Sequence, residues 1–230
     1  MTEQRTIAEK LTHVLWIGGT PGAGKSSICQ FISRIYVFLD YRVDPRQRDH
    51  SARRLAQKDE QHRRWLQKNM KQRWLETPTD VLAQDFIQAG QDLSLVLEDL
   101  LAMPTEPMIV AEGNFMPEAV LPYLSSPQQA IWLVPTKAFN EYARRTRFEE
   151  QKKRFHAIST YPAPEDPERH LRALVERDAL ITCHVKAQAQ RLQLPCYEID
   201  GSRSLAEMTE LVEQHFYPYI VEHMSKLKPL

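Results

Sequence analysis

Eight consecutive residues, Gly19-Thr20-Pro21-Gly22-Ala23-Gly24-Lys25-Ser26, concentrate chemistry near the start of the chain and fit the pattern G-x-x-x-x-G-K-[ST] without a mismatch. Four of the seven glycines, Gly18, Gly19, Gly22 and Gly24, fall within seven residues. A backbone that curls around an anion needs this, because glycine accepts positive φ and leaves no side chain in the way. Successive N–H groups of such a loop point into one concavity, joined by the free N–H groups at the start of the next helix, Ser27 included. A polyphosphate fits there. Lys25 reaches its β- and γ-oxygens as a point charge, and the Ser26 hydroxyl is placed to hold a Mg²⁺ ion bridging them.

Carboxylates at strand ends form a second set. Tyr36 to Asp44 is β-branched and aromatic, stops at Pro45, and reads as a strand closed by Asp44, with Asp40 four residues earlier as the alternative. Met108-Ile109-Val110-Ala111 reads as a buried strand that delivers Glu112, followed by Gly113-Asn114. Ligands of open parallel sheets sit outside the carboxyl ends of the strands. Asp44 is therefore a candidate base for an attacking hydroxyl, and Glu112 a candidate for orienting Mg²⁺ or an acceptor hydroxyl. A third set is cationic: Arg144, Arg145 and Arg147, then Lys152, Lys153 and Arg154, precede the Pro-rich stretch Tyr161 to Pro167. Guanidinium groups on a helix leading to a loop suit the clamping of a transferring phosphoryl group by a closing lid.

The elements that must hold these groups follow from periodicity. Val14 to Ile17 is an apolar run of strand length before the glycine loop, and Ile28, Phe31, Ile32 and Ile35 recur at helical spacing after it. Residues 50 to 76 read as one long polar helix, with His62, Leu66, Met70 and Trp74 four apart. A scaffold helix is expected from Pro78 to the Pro104/Pro107 breaker, a short helix from Pro117 to Leu124, and a strand from Ala130 to Val134 with Thr136 capping the next helix. Glu168 to Leu194 reads as a long helix, Cys196 to Ile199 as the last strand, and the helix after Asp200-Gly201-Ser202 turns Leu205, Met208, Leu211, Val212 and Phe216 inward. Alternating strands and helices predict an α/β chain, a three-layer α/β/α sandwich on one parallel sheet.

Bulk composition narrows the function. The 230 residues carry 30 Lys/Arg against 30 Asp/Glu, so the whole chain announces neither a nucleic-acid nor a membrane partner. No apolar run approaches the roughly 20 residues of a membrane span. The polar stretch Met1 to Thr12 lacks a secretory apolar segment. Three scattered cysteines with no C-x-x-C pair point to a reducing, cytoplasmic setting without zinc. Charge is nonetheless uneven, with eleven Lys/Arg against five Asp/Glu from Arg42 to Glu76 and six against two from Arg144 to Arg154.

This layout resembles the P-loop kinases of nucleosides, nucleotides and similar metabolites, and is most similar in organisation to adenylate-kinase-like enzymes. The resemblance covers most of the chain. It implies a five-stranded parallel sheet of order 2-3-1-4-5, with 13–44, 104–135 and 195–224 as core of a single domain spanning 1–230. It also implies an acceptor lobe at 45–76, a lid at 137–168, and a turn near the adenine ring at Asp200, Gly201 and Ser202. Glu112-Gly113-Asn114 departs from the Asp-Gly-aromatic-Pro run of adenylate kinases. No D-x-x-G with N-K-x-D and no L-S-G-G-Q occurs, so GTPase and transporter branches match less well. The expected function is ATP- and Mg²⁺-dependent phosphoryl transfer to a small-molecule acceptor. The alternatives are a nucleic-acid-end kinase, for which the basic 42–76 segment argues, and a nucleotide-binding regulator with little chemistry.

Overall fold

Val14–Gly19 (β1), buried along its whole length, is the middle strand of a five-stranded parallel sheet. Ile109–Glu112 (β3) and Ala130–Pro135 (β4) flank it, and Leu39–Arg42 (β2) and Cys196–Ile199 (β5) form the edges, giving the expected order β2-β3-β1-β4-β5. In the register, Ile17 of β1 stands beside Glu112 of β3, and Glu112 beside Arg42 of β2. The computed structural model describes residues 2–155 and 166–226.

Because side chains alternate across a strand, β1 feeds two cores. Val14 and Trp16 pack on one face with Tyr41, Ala111 and Trp132, under Thr79–Gln91 (α5), Ser94–Ala102 (α6) and Pro167–Arg191 (α9). Leu15 and Ile17 pack on the other with Val110 and Leu133, under Lys25–Tyr36 (α2) and Leu205–Lys226 (α10). Three layers result. Helix α2 buries Ile28, Cys29 and Ile32, whereas Phe31 and Ile35 are more than half exposed. Cys29 completes the stripe that the aliphatic spacing alone assigned to Phe31 and Ile35.

Several local expectations change. The second strand is Leu39–Arg42 alone, because Tyr36 still belongs to α2 and Val37, at φ 57°, closes that helix in the left-handed region. Pro45 does not stop a strand. It sits in the first turn of Val43–Ala56 (α3), where the N–H that proline lacks would have no partner anyway. The long polar helix is three pieces: α3, Glu60–Gln67 (α4) and a π-helical turn at Gln72–Glu76. Polar side chains make the breaks. Asp59 accepts from the His62 N–H, and Asn69 and Gln72 cap each other's backbone N–H groups. Asp92, bonded to the N–H and hydroxyl of Ser94, likewise divides the scaffold helix into α5 and α6.

Thr136 caps Lys137–Phe155 (α8) by accepting from the Phe139 N–H at 3.2 Å. The stretch Tyr161 to Glu165, and with it part of the expected lid, lies outside the described residues, as do the side chains of Lys152, Lys153 and Arg154. Among the described residues no helix is long and apolar enough to cross a membrane.

Candidate functional site

The loop Gly19–Ser26 leaves the carboxyl end of the central strand and enters α2. Gly19, Gly22 and Gly24 all take left-handed φ angles, at 122°, 87° and 74°. At Gly19 a β-carbon would lie 1.9 Å from the Leu133 carbonyl oxygen, so no other residue fits. Gly18 is still strand, and its lack of a side chain instead admits the Trp132 ring. The loop is tied to the sheet by the Thr20 N–H, which donates to Leu133 at 3.1 Å.

Lys25 opens α2 and is buried. Its Nζ donates to the Thr20 carbonyl at 2.9 Å and to Asn114 Oδ1 at 3.3 Å, and stands 4.0 Å from Glu112. Ser26 Oγ donates to Glu112 Oε2 at 2.9 Å. Burial pulls the Lys25 ammonium below its ordinary pKa and pushes the Glu112 carboxyl above its own, while the attraction between the two works against both shifts. A half-buried hydroxyl beside a buried carboxylate oxygen supplies the hard-oxygen donors that Mg²⁺ takes together with phosphate oxygens and water. Ser26 and Glu112 therefore fit the ion. Among the described residues a group of metal-capable side chains, Asp49, His50 and Asp99, lies apart on α3 and α6, but Arg53 already pairs with both aspartates.

Asp44 is not a strand end. It lies in the first turn of α3, exposed, with Gln47 Nε2 donating to it at 3.0 Å. It nevertheless lies just past the carboxyl end of β2, and its charge acts on both Lys25 and Glu112. Asp40, the alternative, is exposed on the edge strand β2 and salt-bridged to Arg42 at 2.7 Å.

The three arginines of α8 separate. Arg144 is committed to the buried Asp178 of α9. Arg145 pairs with Glu168 and Glu141 on the surface. Arg147 is exposed, has no ion-pair partner among the described residues, and adds, after burial, a small push that lowers the Lys25 pKa.

The turn after β5 leads into α10, whose first residue, Leu205, lies beside Gly24 of the loop. Asp200 Oδ1 accepts from the Ser202 N–H at 2.9 Å and from its hydroxyl at 2.6 Å, which fixes the turn. Gly201, at φ 88°, packs on the Phe139 ring, and a β-carbon on Gly24 would touch Leu205 at 3.9 Å. A cavity of about 190 Å³ opens here, lined by Glu198, Ile199, Asp200, Ser202, Arg203 and Met208.

Asn114, Asn140, Asp178 and Thr182 join the site, although the sequence assigned none of them a role. Thr182 Oγ1 meets Thr20 Oγ1 at 3.0 Å, and Asn140 Nδ2 donates to the Pro21 carbonyl at 2.9 Å. A signal existed for two of them. Asp178 and Thr182 lie on the buried face of a helix among the apolar Leu171, Val175, Ile181 and Val185, together with the polar Arg177 and Gln188.

No protein-family model matches this chain, and no curated protein matches it.

Proposed function

We propose that the protein is a phosphotransferase of the P-loop kinase type, moving the γ-phosphoryl group of ATP to a small-molecule acceptor such as a nucleoside, a nucleotide or a related metabolite. The observation that carries this reading is the convergence of Lys25 and Ser26 on the buried Glu112, at 4.0 Å and 2.9 Å, at the mouth of a glycine loop with positive φ angles. A buried ammonium beside orphan helix N–H groups favours a polyanion far more than a neutral ligand. The parallel sheet of order 2-3-1-4-5 and the resemblance to adenylate-kinase-like enzymes support the same reading.

In this mechanism the loop N–H groups and Lys25 bind the β- and γ-phosphates and orient them. Ser26 and Glu112 would hold Mg²⁺, which when bound would supply charge neutralisation for the phosphates. Asp44 accepts the proton of the acceptor hydroxyl as its oxygen bonds to the γ-phosphorus and the bond to the β-phosphate oxygen breaks. Arg147 stabilises charge spread over the transferring group. The 45–76 lobe takes the acceptor, and α8, the described part of the expected 137–168 lid, supplies Arg147. The turn at Gly201 and Ser202 lies near the base. The single domain, 1–230, works in the cytoplasm, a setting compatible with the free thiols of Cys29, Cys183 and Cys196.

The basic 42–76 segment supports small-molecule chemistry more than a nucleic-acid end, because Arg42, Arg53, Arg54 and Arg63 are spent on neighbouring carboxylates. The test is transfer from γ-labelled ATP to a panel of nucleosides, nucleotides, sugars and a 5′-hydroxyl oligonucleotide. Labelled small-molecule product carries the reading. Label on the oligonucleotide alone, or no transfer to any acceptor, overturns it.

A further inference from the structure

The phosphate loop is held from behind by two residues one turn apart on α9. Thr182 meets the Thr20 hydroxyl directly, and Asp178, only 1% exposed, reaches the loop through Asn140. Asn140 Nδ2 donates both to Asp178 Oδ2 at 3.2 Å and to the Pro21 carbonyl at 2.9 Å. Both partners are acceptors, so the amide cannot be turned over, and its Oδ1 remains buried without a donor. The cost of that unmatched oxygen is borne to keep the nitrogen where it is. Asp178 is itself immobilised: Arg144 Nε donates to it at 2.6 Å, and Arg177 donates through Nε at 3.0 Å and Nη2 at 2.7 Å. Arg177 lies over the Trp74 and Phe86 rings, at 5.3 and 5.0 Å from their centroids. The chain of contacts runs without a gap from the π-helical turn to the loop.

Its consequence for the loop is geometric. A trans peptide points its C=O and the next N–H in opposite directions. With the Pro21 carbonyl drawn to Asn140, the Gly22 N–H is turned to the far side of the loop. Gly22 lies directly against the amide, since a β-carbon there would approach Asn140 Nδ2 to 2.9 Å. We infer that Asn140, oriented by Asp178, is a positioning residue that fixes the Pro21–Gly22 peptide plane, so that the loop is set for an anion before one arrives. Nothing in this requires a particular ligand, but the nucleotide arm of its test rests on the function proposed above.

The experiment compares the full-length wild-type chain with Asn140→Leu, Asn140→Ala and Asp178→Asn. Hydrogen exchange of the 19–24 amides is followed alongside that of β1 and β4 and the thermal midpoint, then the affinity for AMP-PNP with Mg²⁺. Losing the Asn140 hydrogen bond should speed loop exchange and weaken AMP-PNP binding by about tenfold, the worth of one ordinary hydrogen bond, with strand exchange unchanged. Asp178→Asn should act in the same direction, and adding it to Asn140→Ala should do little more to the loop, because it works through that amide. The alanine variant, which adds no bulk, decides the matter if the leucine variant does not fold. Loop exchange that stays at the wild-type rate, or that rises equally across the sheet, overturns the inference. Wild-type protein that ignores AMP-PNP while loop exchange still responds to Asn140 overturns the kinase reading and leaves this one standing.

Discussion

Replacing Lys25 by methionine keeps the length of the side chain and deletes its charge, and the structure sets what should follow. The variant loses the hydrogen bond from Nζ to the Thr20 carbonyl at 2.9 Å, worth roughly 1.5–3 kcal/mol for a charged donor. It also loses the attraction to Glu112 at 4.0 Å, which is ~4 kcal/mol at an effective dielectric constant of about 20. Against these losses, an ammonium no longer has to be stripped of water, a penalty of several kcal/mol. Glu112 can also take up a proton, since burial already holds its pKa above the usual carboxylate range. The terms nearly offset, so unliganded Lys25→Met should lie within about 2 kcal/mol of wild type, a change of ~4–8 °C in midpoint for a chain of this size. With Glu112 titrating higher when folded than when unfolded, the variant should lose stability as pH rises through that folded value. Ligand response should differ sharply. Wild type at 100 times the dissociation constant of Mg·AMP-PNP gains ~2.7 kcal/mol, roughly 5–10 °C, and the variant should gain none. Turnover should fall about 10²- to 10³-fold. Differential scanning fluorimetry and a coupled ADP assay measure both. A variant that keeps the wild-type shift and turns over within threefold of wild type would refute the role given to this lysine.

Three further outcomes follow from named contacts. Glu112→Gln keeps the hydrogen bond from Ser26 but removes the anion, so the Mg²⁺ concentration needed for half-maximal activity should rise roughly tenfold or more; a Mg²⁺ titration showing no change would count against the pairing of Ser26 and Glu112 around the ion. Gly19→Ala places a β-carbon 1.9 Å from the Leu133 carbonyl in a left-handed conformation, and should cost more than about 3 kcal/mol by urea melt; a loss under 1 kcal/mol would mean the loop leaves the sheet differently. Burial lowers the pKa of His13, His62, His170 and His215, the last two also feeling respectively the arginines at 144 and 177 and opposing backbone hydrogen bonds. With folded values below the unfolded value of about 6.5, the unfolded chain binds more protons, so stability should fall as pH drops from about 7 to 5, and His170→Gln should flatten that slope; a midpoint constant over this range contradicts it.

The glycine loop, the carboxylate closing β3 and the five strands were legible because each is written locally: in residue types at fixed spacing, or in short apolar runs between breakers. The breaks at Asp59, Asn69 and Asp92 were not, since side-chain capping competes with a helix that hydrophobic spacing alone would continue. Asp44 was placed on the right side of the sheet but in the wrong element, because a proline after a strand reads as a stop when it is equally at home in a first helical turn. Which of Arg144, Arg145 and Arg147 is taken up by an ion pair depends on the carboxylates of α9, far away in sequence, so adjacency on one helix could not decide it. Asp178 and Thr182 show the reverse: polar residues at apolar positions of α9 were visible, and only the loop packed against them gives them meaning.

Isothermal titration of the wild-type protein with ATP, once with Mg²⁺ and once with excess EDTA, tests the central claim most directly. One site per chain, micromolar in the presence of the ion and at least tenfold weaker without it, is the predicted result. Heat indistinguishable from dilution in both titrations would contradict the assignment of the 19–26 loop as a triphosphate site.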